Sequence, residues 1–252
     1  MTELWLGAGS EGPGEVRVDA EFASMLVAEA EGHLASCLRA LCLLGRCGGL
    51  RPYVGAPYTA FAVPADAMAV VGTQLGATIE VDAMQTGAWY ILRNMLEHPL
   101  DEALRPVRVR AGPQATRGWR ELARMTEESE DDDYPSPATA LPWPLEFVDG
   151  SFSKSRRALI EFGAEVRNEW FYALRDGVRA WGDVLRRGGF AAPLDEPWDQ
   201  DCVMGAVQIF DAWTIECEVS CFEASETAWS VLANIVDCYA GSMMPIDRLR
   251  IE

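Results

Sequence analysis

The sequence contains two copies of one long pattern, separated by 140 residues. Residues 21–49 (EFASMLVAEAEGHLASCLRALCLLGRCGG) align without a gap with residues 161–189 (EFGAEVRNEWFYALRDGVRAWGDVLRRGG), and 9 of these 29 positions are identical. A second block at the same offset matches residues 88–97 with residues 228–237. Two blocks in one register indicate an internal duplication, and a period this long excludes a solenoid of short repeats.

Each copy shows the same order of predicted elements. Polar and apolar residues alternate from Glu15 to Val18, which predicts a strand. We expect Asp19 to cap a long helix whose buried stripe begins at Phe22 and which ends at the glycine pair 48–49. Two strands joined by a turn, a tryptophan-bearing helix and a closing strand follow. The second copy repeats this order.

The order β-α-β-β-α-β is that of the ferredoxin-like sandwich. The predicted fold class is therefore α+β, with two tandem ferredoxin-like repeats that pack as a pseudo-twofold pair. Each repeat is expected to form an antiparallel sheet with its helices on one face. The first repeat covers residues 1–126, including an extra helix over 117–125. An acidic, proline-rich linker covers 127–143, and the second repeat covers 144–252.

The chain is strongly acidic, with a formal net charge of −18. The linker carries −6 and the second repeat −9, against −3 for the first repeat. Such a field repels nucleic acid and anionic membranes and favours a basic protein as partner. Solubility alone is the other explanation of this charge.

The composition indicates a cytoplasmic protein. The N-terminal residues lack the pattern of a secretory signal, and no apolar run approaches the ~20 residues that span a bilayer. The 7 cysteines have neither zinc-ligand nor disulfide-framework spacing, which favours buried free thiols. A single lysine among 21 basic residues is typical of a bacterial, GC-rich genome.

Two acidic loops and one strand face form the predicted partner-binding surface. Aromatic side chains of Tyr134, Trp143 and Trp198 are expected to anchor it. The carboxylates would attract arginine- or lysine-rich segments. A solvated linker and a cross-strand charge ladder are the structural alternatives. The predicted residues are Glu127, Glu128, Glu130, Asp131, Asp132, Asp133, Asp195, Glu196, Trp198, Asp199, Asp201, Glu216 and Glu218.

The charge ladder follows from the expected strand order. Opposite charges on neighbouring strands contribute a few tenths of a kcal/mol each. In the first repeat the ladder would contain Arg17, Arg108, Arg110, Glu80 and Asp82. In the second repeat it would contain Glu146, Glu216, Glu218, Arg248 and Arg250.

Patterns that carry catalysis are scarce. His33 and His98 are the only histidines, and we find no cysteine or serine motif beside them. A nucleophile elbow, a phosphate-binding loop, a dinucleotide fingerprint and a zinc-protease helix are absent from the sequence. We therefore predict no catalytic, cofactor-binding or metal-binding residue. The repeated tryptophans and asparagines (Trp89, Trp229, Asn94, Asn234) are interpreted as structural.

The favoured hypothesis is a non-catalytic acidic protein that holds a basic partner protein. Its concrete form is an immunity or antitoxin protein that neutralises a bacterial toxin. One alternative is an enzyme with a small-molecule site in the cleft between the repeats. The other alternative is a structural or scaffold protein.

Overall fold

A computed structural model describes residues 2–7, 14–23, 28–51, 69–81, 87–98, 104–113, 122–124, 141–148, 155–191, 203–220, 227–240 and 244–252. The fold is α+β, with four helices and two sheets in these residues. The helices are α1 (Ala28–Arg46), α2 (Ala88–Glu97), α3 (Asn168–Arg186) and α4 (Thr227–Tyr239).

The first sheet contains strands β1–β6 in the order β3-β4-β2-β5-β1-β6. Its strands are β1 (Glu3–Gly7), β2 (Gly14–Glu21), β3 (Ala69–Val71), β4 (Gln74–Val81), β5 (Arg108–Pro113) and β6 (Leu122–Arg124). The second sheet follows the order β10-β11-β8-β12-β7, and β9 also pairs with β11. Its strands are β7 (Leu145–Phe147), β8 (Arg156–Phe162), β9 (Val203–Met204), β10 (Gln208–Asp211), β11 (Thr214–Ser220) and β12 (Ile246–Ile251).

The structure repeats at the offset seen in the sequence. Helices α1 and α3 each contain 19 residues and begin 140 residues apart. Strands β4 and β11 begin at the same offset. All first-sheet strands come from the part of the chain before residue 125, and all second-sheet strands come from the part after residue 144. We call these two parts the first and second halves. The predicted domain boundaries themselves stay a prediction.

Both sheets are mixed, so the prediction of antiparallel sheets is wrong. Strand β1 pairs in parallel with β5, and β7 pairs in parallel with β12. The reason is the placement of β1: it runs opposite to β2, and β5 lies between the two. Because β5 is antiparallel to β2, it must be parallel to β1. Strand β1 was not among the predicted elements, which begin in the first repeat with the strand at Glu15 to Val18.

Two predicted helices are also placed wrongly. The long helix does not start after Asp19, because strand β2 continues to Glu21 and α1 begins at Ala28. Asp19 is therefore a strand residue and not a helix cap. Residues 122–124, inside the helix expected over 117–125, form β6 and pair with the otherwise open edge of β1. The backbone hydrogen bonds that this segment forms with β1 stabilise the strand more than its weak helical preference stabilises a short helix.

The core is continuous across both halves. Helix α2 is buried along nine consecutive residues, from Ala88 to Leu96, so its whole circumference is covered. Helix α4 is buried in the same way. Helix α3 packs against both α1 and α4. The helices of the two halves therefore face each other, and the sheets lie outside them with one face toward solvent.

The helix ends of each half hold the other half by reciprocal hydrogen bonds. The Asn234 amide donates to the carbonyl of Gly49 at 3.4 Å, in the turn after α1. The Asn94 amide donates to the carbonyls of Gly189 and Ala191 at 3.5 and 3.2 Å, in the turn after α3. These two asparagines are the repeated pair from the sequence, and their structural interpretation is confirmed.

Glycine is required in both turns. Gly48 and Gly188 have φ of 85° and 75°, the left-handed conformation that ends a helix. The partner half also fills the space beside them: a Cβ on Gly48 would lie 1.9 Å from Cys238 Sγ, and one on Gly188 would lie 2.7 Å from His98 Cδ2. Cys238 and His98 occupy corresponding positions of the two halves.

One buried ion pair joins the halves without a counterpart at the corresponding positions. Arg51 donates to Asp237, and the side chains are only 6% and 4% exposed. The corresponding positions in the other direction are Ala191 and Glu97, which cannot form this pair. The boundary between the halves thus contains a buried ion pair at one end that the corresponding positions at the other end cannot form.

We expect Gly188→Ala to destabilise the protein by about 2 kcal/mol or more. The alanine adds left-handed backbone strain and collides with the His98 ring. Gly32→Ala is the matched control, because Gly32 is exposed in α1 and a Cβ there has nothing within 4 Å. That control should stabilise the protein by about 0.5–1 kcal/mol. Urea unfolding measures the free energy of unfolding of both variants. Equal changes in that free energy would contradict the packing of Gly188 against His98.

We expect Asp237→Asn to destabilise the protein by about 3–5 kcal/mol, because it leaves the buried Arg51 guanidinium without its opposing charge. The double variant Arg51→Met/Asp237→Asn removes both charges and should be more stable than Asp237→Asn alone. Thermal and urea unfolding check the ranking. A double variant that is less stable than the single variant would contradict the proposed charge penalty.

Candidate functional site

The outer face of each sheet carries a ladder of ion pairs built at corresponding positions. In the first sheet Glu21 bonds Arg108 and Arg110 at 3.1 and 2.7 Å. In the second sheet Glu161 lies 2.7 Å from Arg248 and 3.7 Å from Arg250. The predicted ladder is therefore present only in part, because its central acids are Glu21 and Glu161, which were predicted to lie in helices. Glu80, a predicted member, lies opposite Glu15 on β2 instead of opposite an arginine.

The other predicted ladder members have varied partners. Arg248 contacts Glu146 at 3.6 Å, as expected. Arg17 bonds Asp19 within its own strand, and Glu216 pairs with Arg157 at 3.6 Å. Glu218 is exposed beside this pair, and Asp82 lies outside the described residues.

One position under the ladder differs in chemistry between the halves. Asp19 and Leu159 correspond to each other, lie on the outer faces and are 3% and 2% exposed. Both are flanked by an arginine on the same strand, Arg17 or Arg157. Burial raises the pKa of the Asp19 carboxyl, although Arg17 and Arg110 act to lower it. The fold accepts an apolar side chain here, so the buried carboxylate is a feature of the first half alone.

Two of the predicted partner-binding residues, Glu216 and Glu218, lie in the described part of the chain. Both are on β11, and their side chains alternate with the buried Ile215, Cys217 and Val219, as predicted. The predicted residues in the two acidic loops, 127–133 and 195–201, lie outside the described residues. Trp143, expected as a surface anchor, is instead buried in the core at 5% exposure.

The hairpin of β10 and β11 exposes large apolar side chains next to these carboxylates. Ile209, Phe210 and Trp213 are 42%, 55% and 52% exposed. Asp211 lies between them and accepts a hydrogen bond from the Trp213 amide at 2.7 Å. We call this set the hairpin surface: Ile209, Phe210, Asp211, Trp213, Glu216 and Glu218. An aromatic centre with a charged rim is the usual composition of a protein interface.

The charge pattern of the sequence points to this surface. Residues 188–247 include eleven acidic residues and neither lysine nor arginine. The hairpin lies inside this stretch. A cation from another strand lies beside it: the Arg157 guanidinium is 5.6 Å from the Phe210 ring centroid. A partner that meets the hairpin therefore encounters a strongly acidic stretch of chain.

The first half shows that the fold does not need these apolar residues. By strand pairing, Ile209 corresponds to Val70, and Phe210 is an extra residue at a bulge that the first hairpin lacks. The turn residue Trp213 corresponds to Thr73. The first half therefore closes its hairpin without a large aromatic residue, so Phe210 and Trp213 in the second half need a reason other than folding.

The boundary between the halves is closely packed where the structure describes it. Its residues there are packed side chains and glycine turns, with Val231 against Gly49 and Ile91 against Gly189. The repeated tryptophans are 0% and 3% exposed and belong to this core. A substrate at this boundary would have to displace buried side chains.

A contact between a cysteine and a histidine on α1 was not predicted from the sequence. Cys37 follows His33 by one helical turn, and its Sγ lies 3.8 Å from His33 Nε2. Burial raises the pKa of the Cys37 thiol to about 12 and lowers the pKa of His33. The thiol is thus protonated and the imidazole neutral at pH 7, the opposite of an activated pair.

The described cysteines are free, as predicted: Cys37, Cys42, Cys47, Cys217 and Cys238. Burial raises the pKa of each of these thiols. Within the ranges that the structure describes, no group of three or more histidine, cysteine or acidic side chains could hold a metal ion. None of the described helices combines the length and apolar character needed to cross a membrane.

Comparison of the chain with models of known protein families gives no match, and comparison with curated proteins gives none either.

We expect Asp19→Leu to stabilise the protein by about 1 kcal/mol at pH 7, because it removes a buried charge and copies the residue of the second half. The raised pKa means that the folded state gains a proton more readily than the unfolded state as pH falls. The gain from the substitution should therefore shrink at acidic pH, as Asp19 protonates.

The reciprocal variant Leu159→Asp is the control for that prediction. It should destabilise the protein by about 3 kcal/mol or more at pH 7 and by less at acidic pH. Urea unfolding between pH 4 and pH 7 measures both variants. If Asp19→Leu is less stable than the parent at pH 7, the ion pair with Arg17 outweighs the burial of the charge.

Proposed function

We propose that the protein is a non-catalytic binding protein that holds a basic partner protein through the hairpin surface. One observation carries the proposal: three large apolar side chains are about half exposed in one hairpin, and the first hairpin has neither of its two aromatic residues. Exposed apolar patches rimmed by polar groups mark interaction sites.

The charge of the hairpin surface supports a basic partner. Asp211, Glu216 and Glu218 lie within residues 208–220, which contain no basic residue. Asp211 and Glu218 are exposed, so they can meet arginine or lysine on a partner. The net charge of −18 adds long-range attraction, which accelerates association with a cationic protein. The same charge opposes binding of nucleic acid.

The proposal includes a specific form, an immunity or antitoxin protein that neutralises a basic bacterial toxin. Small acidic proteins suit that task because electrostatic attraction captures a cationic toxin quickly. The acidic residues at 127–133 and 195–201 add to the negative charge of the chain. Finding a toxin gene beside the gene for this protein would support this form, and rescue of cells that express that toxin would test it.

A finer description of the fold belongs to the same proposal. The inner strands of each half follow the order expected of a ferredoxin-like sandwich, with β1 or β7 added at the edge. We regard the halves as tandem copies of this unit that arose by duplication. The second copy then acquired the apolar hairpin while the first kept small residues.

The test replaces the large apolar residues of the hairpin surface with smaller ones. The triple variant Ile209→Ala/Phe210→Val/Trp213→Thr changes exposed positions only and should fold normally. Phe147→Ser is the matched control, since Phe147 is 53% exposed on β7 at the opposite edge of the second sheet. Each tagged protein is used to isolate partners from the source organism, at low and at high salt.

We expect the parent and Phe147→Ser to retain the same basic protein at low salt. The triple variant should lose most of it, because the apolar centre of an interface contributes most of its affinity. High salt should weaken retention for every protein, because screening reduces the attraction of the acidic rim. Equal retention by the triple variant would overturn the proposal.

A further inference from the structure

We propose that the basic partner binds as an extended segment that adds a strand to the outer edge of β10. This inference rests on the proposed function and specifies how the hairpin surface is used. Strand β10 is the terminal strand of the second sheet, and no described strand pairs with its outer side. All four of its residues are exposed.

Strand β10 has two of the features that protect an edge, a short length and a bulge, but it lacks lysine and proline. Lysine and proline on an edge strand oppose pairing with another chain. The sequence of β10 is Gln-Ile-Phe-Asp, with two large apolar residues and neither lysine nor proline. Its register shifts between Ile209 and Asp211, so Phe210 has no partner residue on β11.

The exposed apolar side chains lie on both sides of this edge. Ile209 pairs with Ile215, whose side chain points toward the core, so Ile209 lies on the helix side. Phe210 lies on the outer side, where the Arg157 guanidinium covers its ring. A partner docked flat on the outer sheet face would reach Phe210 and leave Ile209 exposed. An added strand would contact both, because its side chains alternate between the two faces.

The charges favour a basic segment over a second copy of this chain. Two copies paired through β10 would bring two acidic hairpins together, each with three carboxylates and no basic residue. Like charges on adjacent strands are destabilising. A segment with arginine or lysine at alternate positions would instead place its cations near Glu216 and Glu218 on the outer face.

The probe is a fluorescent eight-residue peptide of alternating arginine and valine. A second peptide has the same sequence with N-methyl groups at alternate residues, which removes the main-chain donors along one edge. A third has glutamate in place of arginine. Fluorescence anisotropy measures binding to the intact protein, to the triple hairpin variant and to Phe147→Ser. Hydrogen exchange reports protection of residues 208–211.

We expect the basic peptide to bind the parent and Phe147→Ser alike and to protect the β10 amides from exchange. Methylation should weaken binding about tenfold or more, because it removes two or more main-chain hydrogen bonds. The acidic peptide and the triple variant should show little binding. This pattern would support strand addition.

The contrary outcomes separate the two proposals. Binding of the basic peptide that is insensitive to methylation and leaves β10 unprotected overturns strand addition and keeps the hairpin surface as a docking face. If the triple variant still binds the basic peptide, the peptide binds at another site, and both strand addition and the hairpin surface are overturned. Protein dimers that form through β10 without peptide, detected by sedimentation, would show that a second copy occupies the edge.

Discussion

The structure depends on the contact between each helix end and the other half. Helices α1 and α3 end in glycine pairs, and the backbone carbonyls that these turns expose accept hydrogen bonds from Asn234 and Asn94. A buried carbonyl without a donor costs about 1–3 kcal/mol. Each half therefore supplies a group that the other half needs. Helices α2 and α4 are accordingly buried along most of their length, and their buried polar residues Asn94, Asn234 and Asp237 have partners in the other half.

The sequence revealed this arrangement only in part. The duplication, the glycine ends of the helices and the burial of the repeated tryptophans follow from spacing, because helical period and glycine conformation are local properties. The start of α1 does not. The stretch from Glu15 to Phe22 alternates as a strand, yet Phe22 also fits the helical stripe that follows, and only pairing with β4 and β5 selects the strand. Strands β1 and β6 are equally non-local, since residues more than a hundred positions away define them.

The candidate site was predicted least well, for a related reason. Its carboxylates could be named from the sequence because β11 alternates clearly. Its apolar members could not, because Ile209, Phe210 and Trp213 have the composition of core residues. Their exposure arises from the position of β10 at the end of the sheet. A comparison of the halves could have found Trp213, since the first half has Thr73 at that position, but Phe210 lies at a bulge that only strand pairing reveals.

The two halves therefore separate what the fold requires from what one half has acquired. Positions that match in both halves build the boundary and the ladder: the glycine pairs, the asparagines, the tryptophans, and the glutamate with its two arginines. A position that differs can still serve the fold, because the buried pair of Arg51 and Asp237 has no equivalent at the corresponding positions and joins the halves. Asp19 against Leu159 changes a buried position without changing the strand. Phe210 and Trp213 are a different case: they are exposed, and the first half closes its hairpin without them, so something other than folding explains these side chains.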